Sequence, residues 1–404
     1  MAEESFQGLA IVAGAAFFMP LLLGMVPRIR LPSVVLEIVA GVVIGPSVLG
    51  WVHVDAPIRV ISRLGLASLL FLAGMEIEVE RLKGPVLKTT GAAFAVSLLL
   101  AALICSALGV VGAIQTPLFV AILLTATGLG VIVPVLKDSG EIASPFGQLV
   151  VVSASIADFG TIILLALLFT AGEASRAGTI LLLLGVGALC AVIAIAAAGL
   201  GRWKRLTNAL QRLQDTTAAI RIRGAAFLLV LWVAVVEKVG LEIILGAFAA
   251  GVLLSFIDRD EAKTHVLFRT KLHAIGFGVF IPVFFVTSGV QFNLHALFAT
   301  PSTLAGVPLF LVALLVIRGI PALMYRSILG IRRSVAAGLL QATSLSFIVA
   351  GARIGVTLGR ITEVTAAALI AAGMLSVLLF PQSALMLLER ARQDEIREVP
   401  RSDV

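Results

Sequence analysis

The sequence predicts an all-α polytopic membrane protein of about 13 transmembrane helices. Three observations predict it. Of the 404 residues, 60% are apolar and only 13% charged, against roughly 45–50% and about 25% in soluble domains. Apolar stretches of about 20 residues, the length that spans a bilayer, recur from end to end. Basic residues gather in alternate connections between those stretches. Almost nothing is left over for a soluble domain.

The spans fall at 6–25, 32–50, 58–77, 89–111, 117–136, 145–170, 178–200, 222–237, 240–257, 272–290, 303–325, 334–352 and 364–388. The first follows an acidic "MAEESFQGLA", where a signal peptide would be basic, and is therefore expected to stay as a helix of the mature chain. The second carries Glu37 about one turn inside its apolar run, and the third ends at Glu76 and Glu78. These two interfacial carboxylates read as solvated or paired with loop arginines, whereas Glu37 reads equally well as a structural charge in the core. Cys105 and Cys190 are single residues in the fourth and seventh spans, without disulfide or metal-ligand spacing. The eighth span is the shortest. The connections are punctuated by Pro, Gly and charge, as in "PRIRLP", "RLKGP" and "LKDSGE", the last holding Lys137 and Asp138. His53, His265, His273 and His295 are expected in or beside loops. Residues 391–404 read as a cytoplasmic tail.

Orientation follows from the cations. Placing the N-terminus outside and the C-terminus inside puts 23 of the 30 Lys and Arg residues on the inner side and six on the outer. That asymmetry is the positive-inside pattern. It also accounts for the net charge of +7 without a nucleic-acid partner.

Two spans are interrupted by small polar residues at mid-depth. The fifth reads "LLTATGLGVIVP", with Thr125, Thr127, Gly128, Gly130 and Pro134. The twelfth reads "GLLQATSLSFIVAG", with Gln341, Thr343, Ser344 and Ser346. Backbone that leaves the helix inside a bilayer is tolerated only where protein or a watery cavity satisfies it. The two spans lie an odd number apart and therefore run in opposite directions. Broken helices at matching places in inverted units point to a transporter's binding site; the competing reading is that small residues merely permit close packing.

Asp158, near the middle of "VVSASIADFGTIILLALL", is the leading candidate for chemistry. A carboxylate at that depth costs several kcal/mol and is retained for a reason. Ser155 and Thr161 lie three residues to either side and share its helical face. Such a face offers Na⁺ or K⁺ hard oxygen ligands, and the carboxylate holds either a proton or the metal ion; a permanent ion pair with an arginine is the other reading. Arg318, in "FLVALLVIRGIPALMYR", is the basic residue well inside a span. It either compensates the dipoles of the broken helices, pairs with a carboxylate, or snorkels to the inner interface. There is no phosphate-binding loop, zinc spacing or catalytic triad, so neither a cofactor nor an enzyme is expected.

"LPSVVLEIVAGVVIGPSVLGW", "GLASLLFLAGMEIEVERLK", "TATGLGVIVPVLKDSGE", "SASIADFGTIILLAL" and "KLHAIGFGVFIPVFFVTSGVQFNL" resemble, in order, the signature segments of the monovalent cation:proton antiporter superfamily, second branch. The resemblance covers about residues 6–390. It implies a 13-helix fold with a dimerisation unit and linker beside a six-helix core, made of spans 4–6 and 11–13 as inverted repeats with two crossed broken helices. It implies that Asp158 alternately binds a cation and a proton, with Thr125 and Thr127 beside the ion and Arg318 at the family's basic position. It implies a homodimer in a bacterial inner membrane. The resemblance does not extend to the nucleotide-sensing C-terminal domain of many potassium-efflux relatives.

One position departs from the pattern. Family members carry Asp, Asn or Gln immediately before the essential aspartate, and here Ala157 stands there. With no second titratable group at that place, and with an arginine that keeps its proton where a lysine could release one, the expected exchange is electroneutral: one H⁺ for one Na⁺ or K⁺. Alternatives from other classes are a cation channel or leak pathway, and a symporter for a small organic anion.

Overall fold

The computed structural model describes residues 6–25, 33–75, 84–112, 114–169, 219–238, 243–257, 262–298 and 301–398. All regular secondary structure among them is helical, and eight of the described helices are long and apolar enough to cross a membrane. The chain is an all-helical, multi-pass membrane protein.

The helices are α1 Phe6–Met25, α2 Ser33–Ile44, α3 Ala56–Met75, α4 Gly84–Val110, α5 Pro117–Thr125, α6 Leu129–Asp138, α7 Pro145–Phe169, α8 Ile220–Lys238, α9 Ile243–Ile257 and α10 Ala262–Ile275. Then follow a π-helical turn at Gly276–Phe280, α11 Ile281–Val290, α12 Leu294–Phe298, α13 Pro301–Ala322, a 3₁₀ turn at Leu323–Tyr325, α14 Arg326–Leu329, α15 Ile331–Ala342, α16 Ser346–Thr357 and α17 Glu363–Glu398. Proline opens α5, α7 and α13, where its missing N–H has no intrahelical acceptor to lose.

Several ends differ from the hydropathy reading. The second span stops being helical at Ile44, six residues early, because Pro46 cannot extend the ladder and the chain turns through residues 45–49. The eighth span is a helix of 19 residues, Ile220–Lys238. The tenth begins at Ala262, so His265 and His273 are helical rather than in loops, and His273 stacks on Phe277 with ring centroids 5.7 Å apart. The last helix runs on to Glu398, through most of the expected tail. The residues added to the last helix are mostly Glu, Arg and Gln, good helix formers, and those added to α10 include two Lys and an Arg; hydropathy marks where the bilayer ends, not where backbone hydrogen bonding does. The expected span at 178–200, with Cys190, and residues 399–404 lie outside the described residues, as do Glu76 and Glu78.

The chain divides into two compact units. The first comprises Met1–Ile29, Leu36–Glu78 and Ile162–Gln291. Within it, α3 packs on α9 and α11, and the contacts are backbone-close: a methyl on Gly251 would run into the Phe71 carbonyl, and one on Gly41 into that of Val286. One turn before Gly41, Glu37 is buried in this unit.

The second unit comprises Arg30–Val35, Val79–Thr161 and Phe292–Val404. Here α13 packs against α4, α15 and α17, α5 lies on α4, and α16 lies on α17 and α5. A core of Ile132, Leu136, Phe146, Leu149, Val150, Tyr325 and Leu340 fills one part of it. Close approach again depends on glycine. A Cβ on Gly338 would come within 3.0 Å of the Gly319 Cα, so α15 lies almost backbone to backbone with the turn of α13 that carries Arg318.

Candidate functional site

The fifth and twelfth spans are both interrupted. Helix α5 ends at Thr125, Ala126 is extended (φ −66°, ψ 154°), and α6 starts at Leu129. Helix α15 ends at Ala342, Thr343 is extended (φ −75°, ψ 111°), and α16 starts at Ser346. Gly130 and Ser346 therefore belong to the returning helices rather than to the breaks. A helix end leaves N–H or C=O groups without partners inside the helix, and in the interior of a membrane protein each must be met by protein. The two breaks meet this requirement together, the Gly128 N–H donating to the Thr343 carbonyl over 2.8 Å. A Cβ on Gly128 would already sit 3.3 Å from that oxygen, so the contact favours the residue without a side chain.

Each break is also closed by a side chain from a later helix. The Thr127 N–H donates to Asp158 Oδ1 on α7 at 2.8 Å, across 31 residues. The Ser344 N–H donates to Ser376 Oγ on α17 at 3.1 Å, across 32 residues, and the Ser376 hydroxyl in turn lies 2.7 Å from the Gly373 carbonyl. Asp158 is only 2% exposed. Its carboxylate accepts from backbone at the start of α6, where the aligned peptide dipoles favour negative charge.

Ser155 and Thr161, expected beside Asp158 on α7, are both buried. Ser155 is buried and donates to the Val151 carbonyl at 2.9 Å. Thr161 and Thr125 are fully buried, with their hydroxyl oxygens 3.1 Å apart, while Thr125 Oγ1 also donates to the Ile122 carbonyl at 2.7 Å. Two residues beyond Asp158, the Phe94 ring of α4 lies against Gly160 so closely that a methyl there would overlap it, which seats α7 on α4.

Arg318 is 1% exposed, and its guanidinium stays in the core instead of reaching for the interface. Its Nε and Nη2 donate to Thr127 Oγ1 at 3.1 and 2.9 Å, and its Nη1 donates to Ser97 Oγ on α4 at 3.2 Å. The Thr127 hydroxyl donates its own proton to the Gln341 carbonyl at 3.1 Å. A hydroxyl has one proton and two lone pairs, so Thr127 Oγ1 is saturated. In this geometry the Thr127 side chain has no lone pair to turn toward an ion; what it contributes beside Asp158 is its backbone N–H.

Sequence reading missed Ser97, Ser376 and Tyr325. Tyr325, buried in the 3₁₀ turn, lies 2.8 Å from the Ser153 hydroxyl of α7. A lone serine in an apolar run such as "FAVSLLL" carries no signal of its own, because a back-bond to the preceding turn satisfies it equally well; only the arrival of Arg318 from a helix some 220 positions later gives Ser97 meaning. Gln341 Nε2 and Ser344 Oγ are buried at the second break without a hydrogen-bond partner among the described residues. Glu37 lies in the other unit, and the side chains of Lys137 and Asp138, which close α6, lie outside the described part of the structure.

Comparison with known proteins points to one family. The family described as "Sodium/hydrogen exchanger, transmembrane" matches residues 13–390. The chain is 32% identical over 410 residues to "Putative Na(+)/H(+) antiporter YjbQ" of Bacillus subtilis, covering 98% of this chain and 65% of that one. It is 27% identical over 388 residues to "Probable Na(+)/H(+) antiporter 3" of Methanocaldococcus jannaschii, covering 94% and 95%. It thus spans about two thirds of the first relative's length and nearly all of the second's. Among solved structures, the sodium proton antiporter MjNhaP1 of Methanocaldococcus jannaschii matches with a TM-score of 0.67 at 17% identity over 95% of this chain and 98% of that one, which is a likeness of fold. These named relatives are transporters, not enzymes.

Proposed function

The chain belongs to the sodium/hydrogen exchanger family, and from that premise we propose that it exchanges Na⁺ or K⁺ for H⁺ by alternating access at Asp158. The single observation that carries this reading is the Asp158 carboxylate, buried at the junction of two interrupted helices and bonded to the backbone of one of them. A carboxylate there takes up either a proton or a monovalent cation, and the two exclude each other. Mutual exclusion at one group, exposed in turn to each side, is what couples the two fluxes.

The ion's oxygen ligands are the Asp158 carboxylate, the Ser155 and Thr125 hydroxyls, and backbone carbonyls of the first break between Thr125 and Thr127. Arg318 is a fixed positive charge that joins α13 to the first break through Thr127. The matched offsets of 31 and 32 residues from each break to its closing side chain support inverted repeats formed by spans 4–6 and 11–13, with crossed broken helices. They also make Ser376 the counterpart of Asp158 in the second repeat. A serine does not titrate, Ala157 does not titrate, and an arginine keeps its proton; one proton per cation, with no net charge moved, follows. The remaining helices would form a dimerisation unit and linker, in a bacterial inner membrane with the N-terminus out and the C-terminus in.

The test is direct. Purified protein reconstituted in vesicles with an internal pH dye, under an imposed pH gradient, should dissipate the gradient on addition of Na⁺ or K⁺ and not of choline. A cation channel fails this test, because it passes the ion without moving protons against it.

A further inference from the structure

We propose that the turn joining α13 to α15, residues 323–335, binds an anionic phospholipid. Arg326 and Arg332 hold its phosphate, and the neighbouring Met324, Ile328 and Ile331 lie against its acyl chains. The proposal does not depend on the exchange reading above, and it assigns a partner to a surface that the ion site does not use.

The segment reads "LMYRSILGIRRSV", and two of its residues hold it down. Tyr325 is fully buried, with its hydroxyl 2.8 Å from that of Ser153 on α7. Ser334 is fully buried too, its Oγ donating to the Gly330 carbonyl at 2.8 Å. Gly330 itself takes φ +75°, a left-handed conformation that glycine adopts without strain, and so turns the chain from α14 into α15. Most of the remaining side chains lie on the surface. Met324, Ile328 and Ile331 are 39%, 49% and 59% exposed, and Arg326 and Arg332 are exposed in the same short segment.

Apolar and cationic groups exposed together call for a partner with both characters. Water solvates the guanidinium groups but leaves the isoleucines exposed, at about 25 cal/mol per Å² of apolar surface. Hydrocarbon covers the isoleucines but penalises each charge. The boundary between lipid headgroups and acyl chains meets both demands, and there an arginine grips a phosphate through two parallel N–H groups. The charge of this stretch is also one-sided, because α13, α14 and α15 carry no Asp or Glu. A zwitterionic lipid brings its phosphate together with a cation that the arginines repel. An anionic lipid brings the phosphate without that cation and is the better fit. A free phosphate would leave the isoleucines uncovered.

Native mass spectrometry of the detergent-purified protein, offered an equimolar mixture of phosphatidylglycerol and phosphatidylcholine, reads the preference directly. The parent should retain phosphatidylglycerol over phosphatidylcholine. Arg326→Gln combined with Arg332→Gln should cut that preference about five-fold for each arginine, the factor set by about 1 kcal/mol of attraction per surface cation. The melting temperature should stay unchanged, because both side chains are exposed. Arg326→Lys combined with Arg332→Lys keeps the charge and should keep most of the preference. Ile328→Ser combined with Ile331→Ser should weaken retention of both lipids and leave the preference intact. Arg59→Gln combined with Arg63→Gln, which removes two exposed cations of α3, should change neither. A parent without preference, a glutamine variant that keeps it, or an equal loss from the α3 pair overturns the proposal. So does a glutamine variant whose oligomeric mass changes, which makes the surface a contact between copies. Displacement of the lipid by glycerol phosphate at the lipid's own concentration also overturns it, since the site is then one for free phosphate.

Discussion

The Gly128 N–H donates to the Thr343 carbonyl over 2.8 Å, so each interrupted helix completes the backbone that the other leaves open. Away from water an unmade backbone hydrogen bond costs several kcal/mol. Two breaks that satisfy one another can therefore persist where one alone would heal into continuous helix. The polar groups drawn to this junction are the ones whose replacement is informative.

Asp158→Asn should abolish cation-driven proton movement while leaving the protein folded. Asparagine still presents an oxygen to the Thr127 N–H, so the first break stays closed, but it neither titrates nor carries charge. Dye-reported exchange in vesicles and a melting curve in detergent are measured together. Exchange at the parent rate in the variant removes Asp158 from the cycle.

Thr127→Val should destabilise the protein as well as weaken exchange. Valine is nearly the shape of threonine but leaves Nε and Nη2 of buried Arg318 without their acceptor, a loss of roughly 2–4 kcal/mol for a desolvated charged donor. Thr127→Ser should be close to the parent. If valine instead shifts only the apparent ion affinity with the melting temperature intact, the hydroxyl is an ion ligand and the saturated bonding seen here is not what matters in the cycle.

Ser376→Ala should lower stability by roughly 1–3 kcal/mol, the cost of a buried N–H left unpaired at Ser344, and slow the maximal rate more than it changes KM. Ser376→Asp is the sharper variant. A carboxylate at the counterpart position of Asp158 supplies a second titratable group, and exchange should become sensitive to membrane potential. Voltage-insensitive exchange by an active Ser376→Asp protein would count against the two-fold relation of the repeats.

In the parent, exchange should be electroneutral. At zero pH gradient, a membrane potential set with valinomycin should drive no Asp158-dependent cation uptake. Voltage-driven uptake would show that a second proton is carried, with Glu37, buried in the other unit, the first residue to substitute.

Much of this protein is legible along the chain. Apolar run length alone marks the spans, because a bilayer imposes one thickness on every helix that crosses it. Asp158 stands out because a charge at that depth is expensive, and the small polar interruptions at 125–130 and 341–346 stand out against uniform surroundings. Helix ends are less legible: α10 and α17 run past the apolar spans in charged and mixed sequence whose backbone hydrogen-bonds along the helix as well in water as in lipid.

Partners are what the sequence by itself leaves undetermined. It named Asp158, Thr127 and Arg318 as candidates and left Arg318 open between a dipole charge, an ion pair and a snorkelling cation. Tertiary structure decided that its donors go to Thr127 and Ser97, that the Thr127 hydroxyl is spent on it, and that Ser376 closes the second break as Asp158 closes the first. The physical reason is the range of the two effects. Burial cost is a property of one residue at one depth and is written locally, whereas a hydrogen bond needs two groups within about 3 Å, and helices separated by up to some 220 residues come that close only when the core is packed.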